Sequence, residues 1–152
     1  SYFSSAAGAK SSSTEKVMTA RKEMVKAITA LLSSTLFYWF WRLFSNCRHL
    51  TDRELLVFPI PTIATSNALY AKLGHLGERF EERLKATKKR VVTNNKRSGK
   101  VIQDFYYVSS AKPIIDEIDE LLAKHFGFTE EELDFIINYD IKYRMGDELD
   151  AE

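Results

Sequence analysis

The densest concentration of side chains able to act on another molecule lies between Arg83 and Lys100. Arg83, Lys85, Lys88, Lys89, Arg90, Lys96, Arg97 and Lys100 are basic, and no acid falls among them. Such ammonium and guanidinium groups neutralise phosphates and release condensed counterions. The amides of Asn94 and Asn95 are suited to bonding base edges or phosphate oxygens. The same composition also suits a solvated basic loop. Arg42, Asn46 and Arg48, projecting from the end of an aromatic segment, form a second candidate set, although these residue types also simply cap helices. The cluster Phe37-Tyr38-Trp39-Phe40-Trp41 has the chemistry to stack on unpaired bases, but helical spacing and apolar neighbours favour core packing.

Catalytic chemistry is poorly served. His49, His75 and His125 stand far apart, and with the single cysteine, Cys47, they make no zinc pattern. Cys47 lies beside Arg48 and His49, neighbours of the kind that accompany reactive thiols, yet without a triad context it reads as an ordinary loop or buried thiol. Asp134 with Asp140-Ile141-Lys142 imitates the acid-x-lysine arrangement of metal-dependent nucleases. Those sites need acid and lysine on a strand, and here the acids fall on or just after a predicted helix, which favours a solvated acidic helix end. Gly74 and Gly77 sit inside a helical segment and not after a strand, so no phosphate-cradling loop or dinucleotide fingerprint is present. No catalytic, cofactor-binding or metal-ligating residue is therefore expected in this chain.

The elements that must carry these residues belong to a chain of 152 residues, enough for one domain or a compact unit with an appendage. A hydrophobic fraction of 45% and a charged fraction of 28% suit a packed core. A net charge of +1 hides a segregation of sign: from Asp116 onward there are thirteen acids against Lys124, Lys142 and Arg144. One segment attracts a polyanion and the other repels it. One cysteine excludes an internal disulfide and fits a reducing cytoplasm; no secretory signal pattern is seen. Ala27 to Trp41 is uncharged, but roughly 15 residues fall short of the ~20 that span a bilayer, and Thr29, Ser33, Ser34 and Thr35 interrupt it. A buried helix pair or one unbroken core helix is expected, with no membrane partner.

Small polar residues Ser1 to Ser13 read as frayed, or as a cut through a larger protein. Ser12 and Glu15 have capping-box spacing, opening a helix with Val17, Met24, Ile28 and Leu31 or Leu32 on one face. Ser33 to Thr35 mark a break, and Leu36 to Phe44 a second helix with Phe37, Trp41 and Phe44 aligned. Asn46 to His49 is a loop. Thr51 and Glu54 form another capping box, stapled by Leu50 and Leu55, and Phe58-Pro59-Ile60-Pro61 is extended. Ile63 to about Arg90 is the longest predicted helix, striped by Leu69, Leu73, Leu76, Phe80 and Leu84, with Gly74 and Gly77 weakening it or allowing close packing. Val91 to Lys100 is turn-like around Asn94-Asn95 and Ser98-Gly99, and Val101 to Val108 suits a short strand. Pro113 opens a helix with Ile114, Ile118, Leu121 and Leu122 inward, and Gly127 closes it. Thr129 and Glu132 cap the next, stapled by Phe128 and Leu133, with Leu133, Ile136 and Ile137 on its stripe. The fold class is mainly α with minor β, bundle-like around one long central helix.

Two blocks carry a resemblance. Ser33-Ser34-Thr35-Leu36-Phe37-Tyr38-Trp39-Phe40-Trp41, then Asn46-Cys47-Arg48-His49-Leu50-Thr51 and Phe58-Pro59-Ile60-Pro61, is similar to a pattern in the target-recognition domain of adenine-specific (N6) DNA methyltransferases of the type IIG restriction–modification kind. Lys112-Pro113-Ile114-Ile115-Asp116-Glu117-Ile118-Asp119, Phe126-Gly127-Phe128-Thr129, and Glu132 through Gly146 resemble the way many of these enzymes end. The resemblance implies a C-terminal fragment that holds double-stranded DNA and helps choose its target. Residues 1–62 would be the end of the recognition domain, 63–100 a connecting helix and basic loop, and 101–152 an acidic helical unit facing away from DNA. The family's Asn/Asp-Pro-Pro-Tyr/Phe tetrapeptide, which positions the flipped adenine, does not occur here, nor does its glycine-rich S-adenosylmethionine motif. S-adenosylmethionine, and Mg2+ if the parent cleaves DNA, would then belong to an upstream methyltransferase domain on which this chain packs. The competing expectation is a helical protein-interaction module whose acidic C-terminal helices bind a partner.

Overall fold

A computed structural model describes residues 20–48, 50–61, 63–95 and 99–141, with the backbone alone described at 63–66, 95 and 99–101. The Ser12–Glu15 box, Val17, His49, Lys96, Arg97, Lys142 and Arg144 lie outside the described residues. A 3-10 turn at Lys22–Met24 leads into α1 (Val25–Ser33), α2 (Thr35–Phe44), α3 (Asp52–Val57) and α4 (Ile63–Thr87). Strands β1 (Lys89–Asn95) and β2 (Gly99–Phe105) follow, then a 3-10 turn at Val108–Ala111, α5 (Lys112–Phe126) and α6 (Glu130–Asn138). The fold is mainly α with one two-stranded antiparallel sheet. Among the described residues no helix is long and apolar enough to cross a membrane.

The uncharged stretch from Ala27 to Trp41 is a helix pair broken at Ser34, whose backbone is extended (φ −63, ψ 154). A new helix leaves its first N–H groups without intrahelical acceptors, and each is accounted for here. Ser34 Oγ accepts from the Phe37 N–H at 3.0 Å while its hydroxyl donates to the Leu31 carbonyl. The Thr35 and Leu36 N–H groups donate to the two carboxylate oxygens of Asp119, each at 3.0 Å. Asp119 is 1% exposed, so this acid belongs to the core and not, as its sequence context suggests, to an acidic surface.

That anchor also sets the rotation of α2. Leu36, Phe37 and Phe40 face inward, and Phe37 and Phe40 each meet the Phe58 ring edge-on at 5.0 Å. The expected Phe37–Trp41–Phe44 face is therefore corrected: Trp41 is half-buried and Phe44 is 55% exposed. Leu69, Leu73 and Leu76 of α4 join Ala27, Ala30 and Leu31 of α1, with Ile118, Leu122 and Ile136 completing the main core. A second cluster of Phe80, Leu84, Ala111 and Ile115 lies further along α4. At Gly77 α1 and α4 approach closely: a Cβ there would lie 2.0 Å from the Lys26 carbonyl oxygen. Gly74 has open space around its missing side chain.

Local signals hold at the other helix ends. Both capping boxes, Thr51 with Glu54 and Thr129 with Glu132, are formed. Pro113 sits in the first turn of α5, and Gly127 ends it in the left-handed region at φ 76. The extended Phe58–Pro61 segment is tied to α4 by the Tyr70 hydroxyl, which donates to the Pro61 carbonyl at 2.6 Å; burial raises the Tyr70 pKa. The long helix ends at Thr87 and not near Arg90, and within the segment read as turn-like Val91–Asn95 and Gly99–Lys100 are strand, while Ser98 lies outside the described residues. Thr87 Oγ1 is held by the Arg83 carbonyl and Ser110 Oγ, each at 2.9 Å. Beyond it Val91, Val92 and Thr93 are β-branched, a side-chain shape that fits a pleated strand, and they pair with Gln103, Ile102 and Val101.

Candidate nucleic-acid interface

The basic segment is a β-hairpin, with the register running from Lys89 opposite Phe105 to Asn95 opposite Gly99. Strand alternation places Arg90, Val92 and Asn94 on one face with Asp104 and Ile102. Lys89, Val91 and Thr93 share the other with Gln103 and Phe105. Neither face is covered: Val92 is 52% exposed, Ile102 56% and Phe105 47%, and no described side chain of either strand is buried. The hairpin is thus an arm. Its foot is fixed where Tyr106 and Val108 pack on the second apolar cluster and the Arg83 guanidinium donates to the Ser110 carbonyl at 2.9 Å.

Within the arm the cations are unequal. Asp104, directly opposite Arg90, accepts from its Nε at 2.6 Å and its Nη2 at 2.8 Å, and from Lys88 Nζ at 2.8 Å. The Arg90 hydrogen bonds first, then those of Lys88, hold the Asp104 carboxyl far below the usual carboxylate range, and the same pair raises the Arg90 guanidinium. Lys88 and Arg90 are therefore partly neutralised from within, whereas Lys89 and Asn94 are exposed. Asn95 and Lys100 are placed by their backbone at the far end of the ladder. Counted from Lys88 to Phe105, six cations stand against the one acid, a net +5. Asp104 is the residue the linear reading missed. Folding the sequence about Arg97 pairs position 90 with 104 and would have revealed it.

The second candidate set is built differently. Arg42 forms an ion pair with Asp140 at 3.5 Å, and the hydrogen bond its guanidinium donates to the Tyr139 hydroxyl is the main cause of its raised pKa. Asn46 Oδ1 accepts from the Arg48 N–H at 3.0 Å, shaping the loop after α2, and Arg48 itself is exposed. This loop adjoins the main core, while the hairpin rises from the second cluster. Of the aromatic run, Phe37 and Phe40 are core and Tyr38 touches Trp41 and Tyr139.

The remaining candidates are dispersed. Cys47 is exposed at φ 56 with its Sγ near the Arg42 carbonyl. Asp134 accepts from Asn138 on its own helix, and Asp140 faces Arg42 and the Tyr38 hydroxyl. Among the described residues no three His, Cys, Asp or Glu side chains converge as metal ligands. No family model, curated protein or solved structure matches the chain.

Proposed function

We propose that this chain binds duplex DNA through the Lys89–Phe105 hairpin. The observation that carries the reading is a two-stranded ribbon, uncovered on both faces, that concentrates positive charge on a molecule whose net charge is only +1. A B-DNA major groove is about 12 Å wide and admits a two-stranded ribbon, and ribbon readers dock in that way. Lys89 and the cations at the far end engage phosphates, Asn94 and Asn95 lie close to base edges, and Val92 with Ile102 supplies an apolar strip for thymine methyl groups. Lys88 and Arg90 exchange part of their bond to Asp104 for phosphate. Arg42 and Asn46 have structural duties, so in this reading only Arg48 of the second set is available to DNA.

The role fits a target-recognition fragment of a type IIG adenine methyltransferase, with methyl transfer, S-adenosylmethionine and any Mg2+-dependent cleavage residing upstream. The test is an amide chemical-shift map of the chain titrated with a short duplex at low salt. Shifts concentrated in residues 88–105 support the proposal; shifts confined to α5 and α6, or none, overturn it. A second reading, a module that packs on a partner domain, is favoured by the exposed apolar residues Leu43, Phe44, Leu56, Val57 and Ile60 near the end of α2 and around α3.

A further inference from the structure

On the side of α6 that meets α2, Trp39, Phe128 and Phe135 enclose a cleft of about 310 Å3 floored by Ile136 and bordered by Glu131 and Glu132. Its aromatic walls come from three separate places: α2, the loop before α6, and α6 itself. Phe135 is 57% exposed, an unusual position for a phenyl ring on a capped amphipathic helix. The first turn of α6 carries Glu130, Glu131 and Glu132, and Asp134 follows. Three carboxylates outweigh the roughly half positive charge of a helix N-terminus, so the mouth of the cleft is negative.

Aromatic faces carry partial negative charge and attract cations that are easily desolvated, more so when carboxylates stand nearby. The combination selects a cationic group with a flat or apolar surface, rejects anions, and is ill suited to a purely aliphatic ligand. A guanidinium fulfils it best, because it stacks on aromatic rings and forks to carboxylates. We infer that this cleft is a docking site for a basic peptide segment of a protein partner, with an arginine side chain seated among Trp39, Phe128 and Phe135 and its apolar neighbours on Ile136. The site is independent of the hairpin and lies on the acidic part of the molecule, so DNA and such a partner can be held at once.

The chain has two tryptophans, which makes the cleft directly observable. Trp41 Nε1 is buried with no hydrogen-bond partner among the described residues, so Trp41→Phe removes none of the described bonds and leaves Trp39 as the sole tryptophan reporter. The probe is a blocked peptide alternating leucine and arginine, compared with the same peptide carrying citrulline, the neutral isostere of arginine. Trp39 fluorescence is expected to saturate with the arginine peptide and to need at least tenfold more of the citrulline peptide. Phe135→Ala and Glu131→Gln, both at exposed positions, should each weaken binding at least threefold with unchanged helical circular dichroism. Glu132 is avoided because it closes the Thr129 capping box.

Equal binding of the citrulline peptide would make the cleft a plain apolar groove and overturn the inference. So would the absence of saturation. A Trp39 signal that changes with protein concentration alone would show a second copy filling the cleft, which also contradicts it. None of these outcomes depends on DNA binding by the hairpin.

Discussion

Asp119 on α5 caps α2 at Thr35: its Oδ2 accepts the Thr35 N–H at 3.0 Å, while its Oδ1 takes the Leu36 N–H at the same distance. A helix that starts in the core has no water to satisfy its first donors, so a carboxylate from another helix does so. Asp119→Ala strands two buried N–H groups and is expected to cost about 2–4 kcal/mol. Asp119→Asn keeps one acceptor and should cost about half as much. Urea unfolding midpoints measure both; an Ala variant as stable as the parent would show that the cap is not what anchors α2.

Gly77 and Gly74 lie one turn apart on α4 and should respond oppositely to alanine. At Gly77 the new methyl would lie 2.0 Å from the Lys26 carbonyl, forcing α1 and α4 apart at a cost of about 1–3 kcal/mol. At Gly74 nothing lies within 4 Å, and the helix-propensity gain is about 0.5–1 kcal/mol. Thermal unfolding of the two variants checks the contrast, and a stabilising Gly77→Ala would refute the close helix contact.

How much of this was legible in sequence depended on the range of the interaction. Capping boxes at Thr51 and Thr129, the Pro113 start and the Gly127 stop are written within a few residues, and each is found where the spacing puts it. The α1–α2 break also has a local signal in Ser33-Ser34-Thr35. The burial of Asp119 does not, because its partners are more than eighty positions away. The hairpin was half visible: Val101 onward reads as strand, but in Lys89 to Asn95 the three β-branched residues Val91, Val92 and Thr93 are flanked by charged and amide side chains, and the strand shows only once its partner is paired with it. Asp104 went unnoticed as a neutralising acid for the same reason, since its charge reaches Arg90 only across the ladder. Charge and composition identified the segment, and pairing decided its shape.

Acid should destabilise the chain through carboxylates that are bonded when folded. Asp104 is held low by Arg90 and Lys88, and Glu117 by Arg79, with N–O distances of 2.6 and 2.8 Å for the latter pair. Glu81, despite a burial effect that raises it, is lowered on balance by Lys26 and Lys85. A carboxyl depressed in the folded state contributes stability above its unfolded pKa, about 3.9 for Asp and 4.3 for Glu, and loses it as pH falls toward the folded value. The melting temperature should therefore be level near neutrality and drop below about pH 4. A melting temperature that rises on acidification would contradict these assignments.

Asp104→Asn separates the arm's charge from its shape. The amide keeps an acceptor for Arg90 and Lys88 while removing the negative charge. Duplex affinity at low salt should rise, and the slope of log K against log salt should steepen by up to about 0.9, the equivalent of one phosphate contact. Weaker binding with an intact fold would show that the Asp104 charge is needed to shape the arm for DNA.

The salt dependence of duplex binding by the parent chain and by a Lys88, Lys89, Arg90 and Lys96 to alanine variant tests the central claim most directly. The parent should bind at ~50 mM salt, weaken steeply toward ~200 mM, and give a slope that the variant flattens by about 2–4, near one for each lost phosphate contact. Circular dichroism should show the same helical content in both, since Lys88, Lys89 and Arg90 are exposed and outside the helices. An unchanged slope and affinity in the variant, or no binding by the parent at low salt, would contradict DNA recognition by the hairpin.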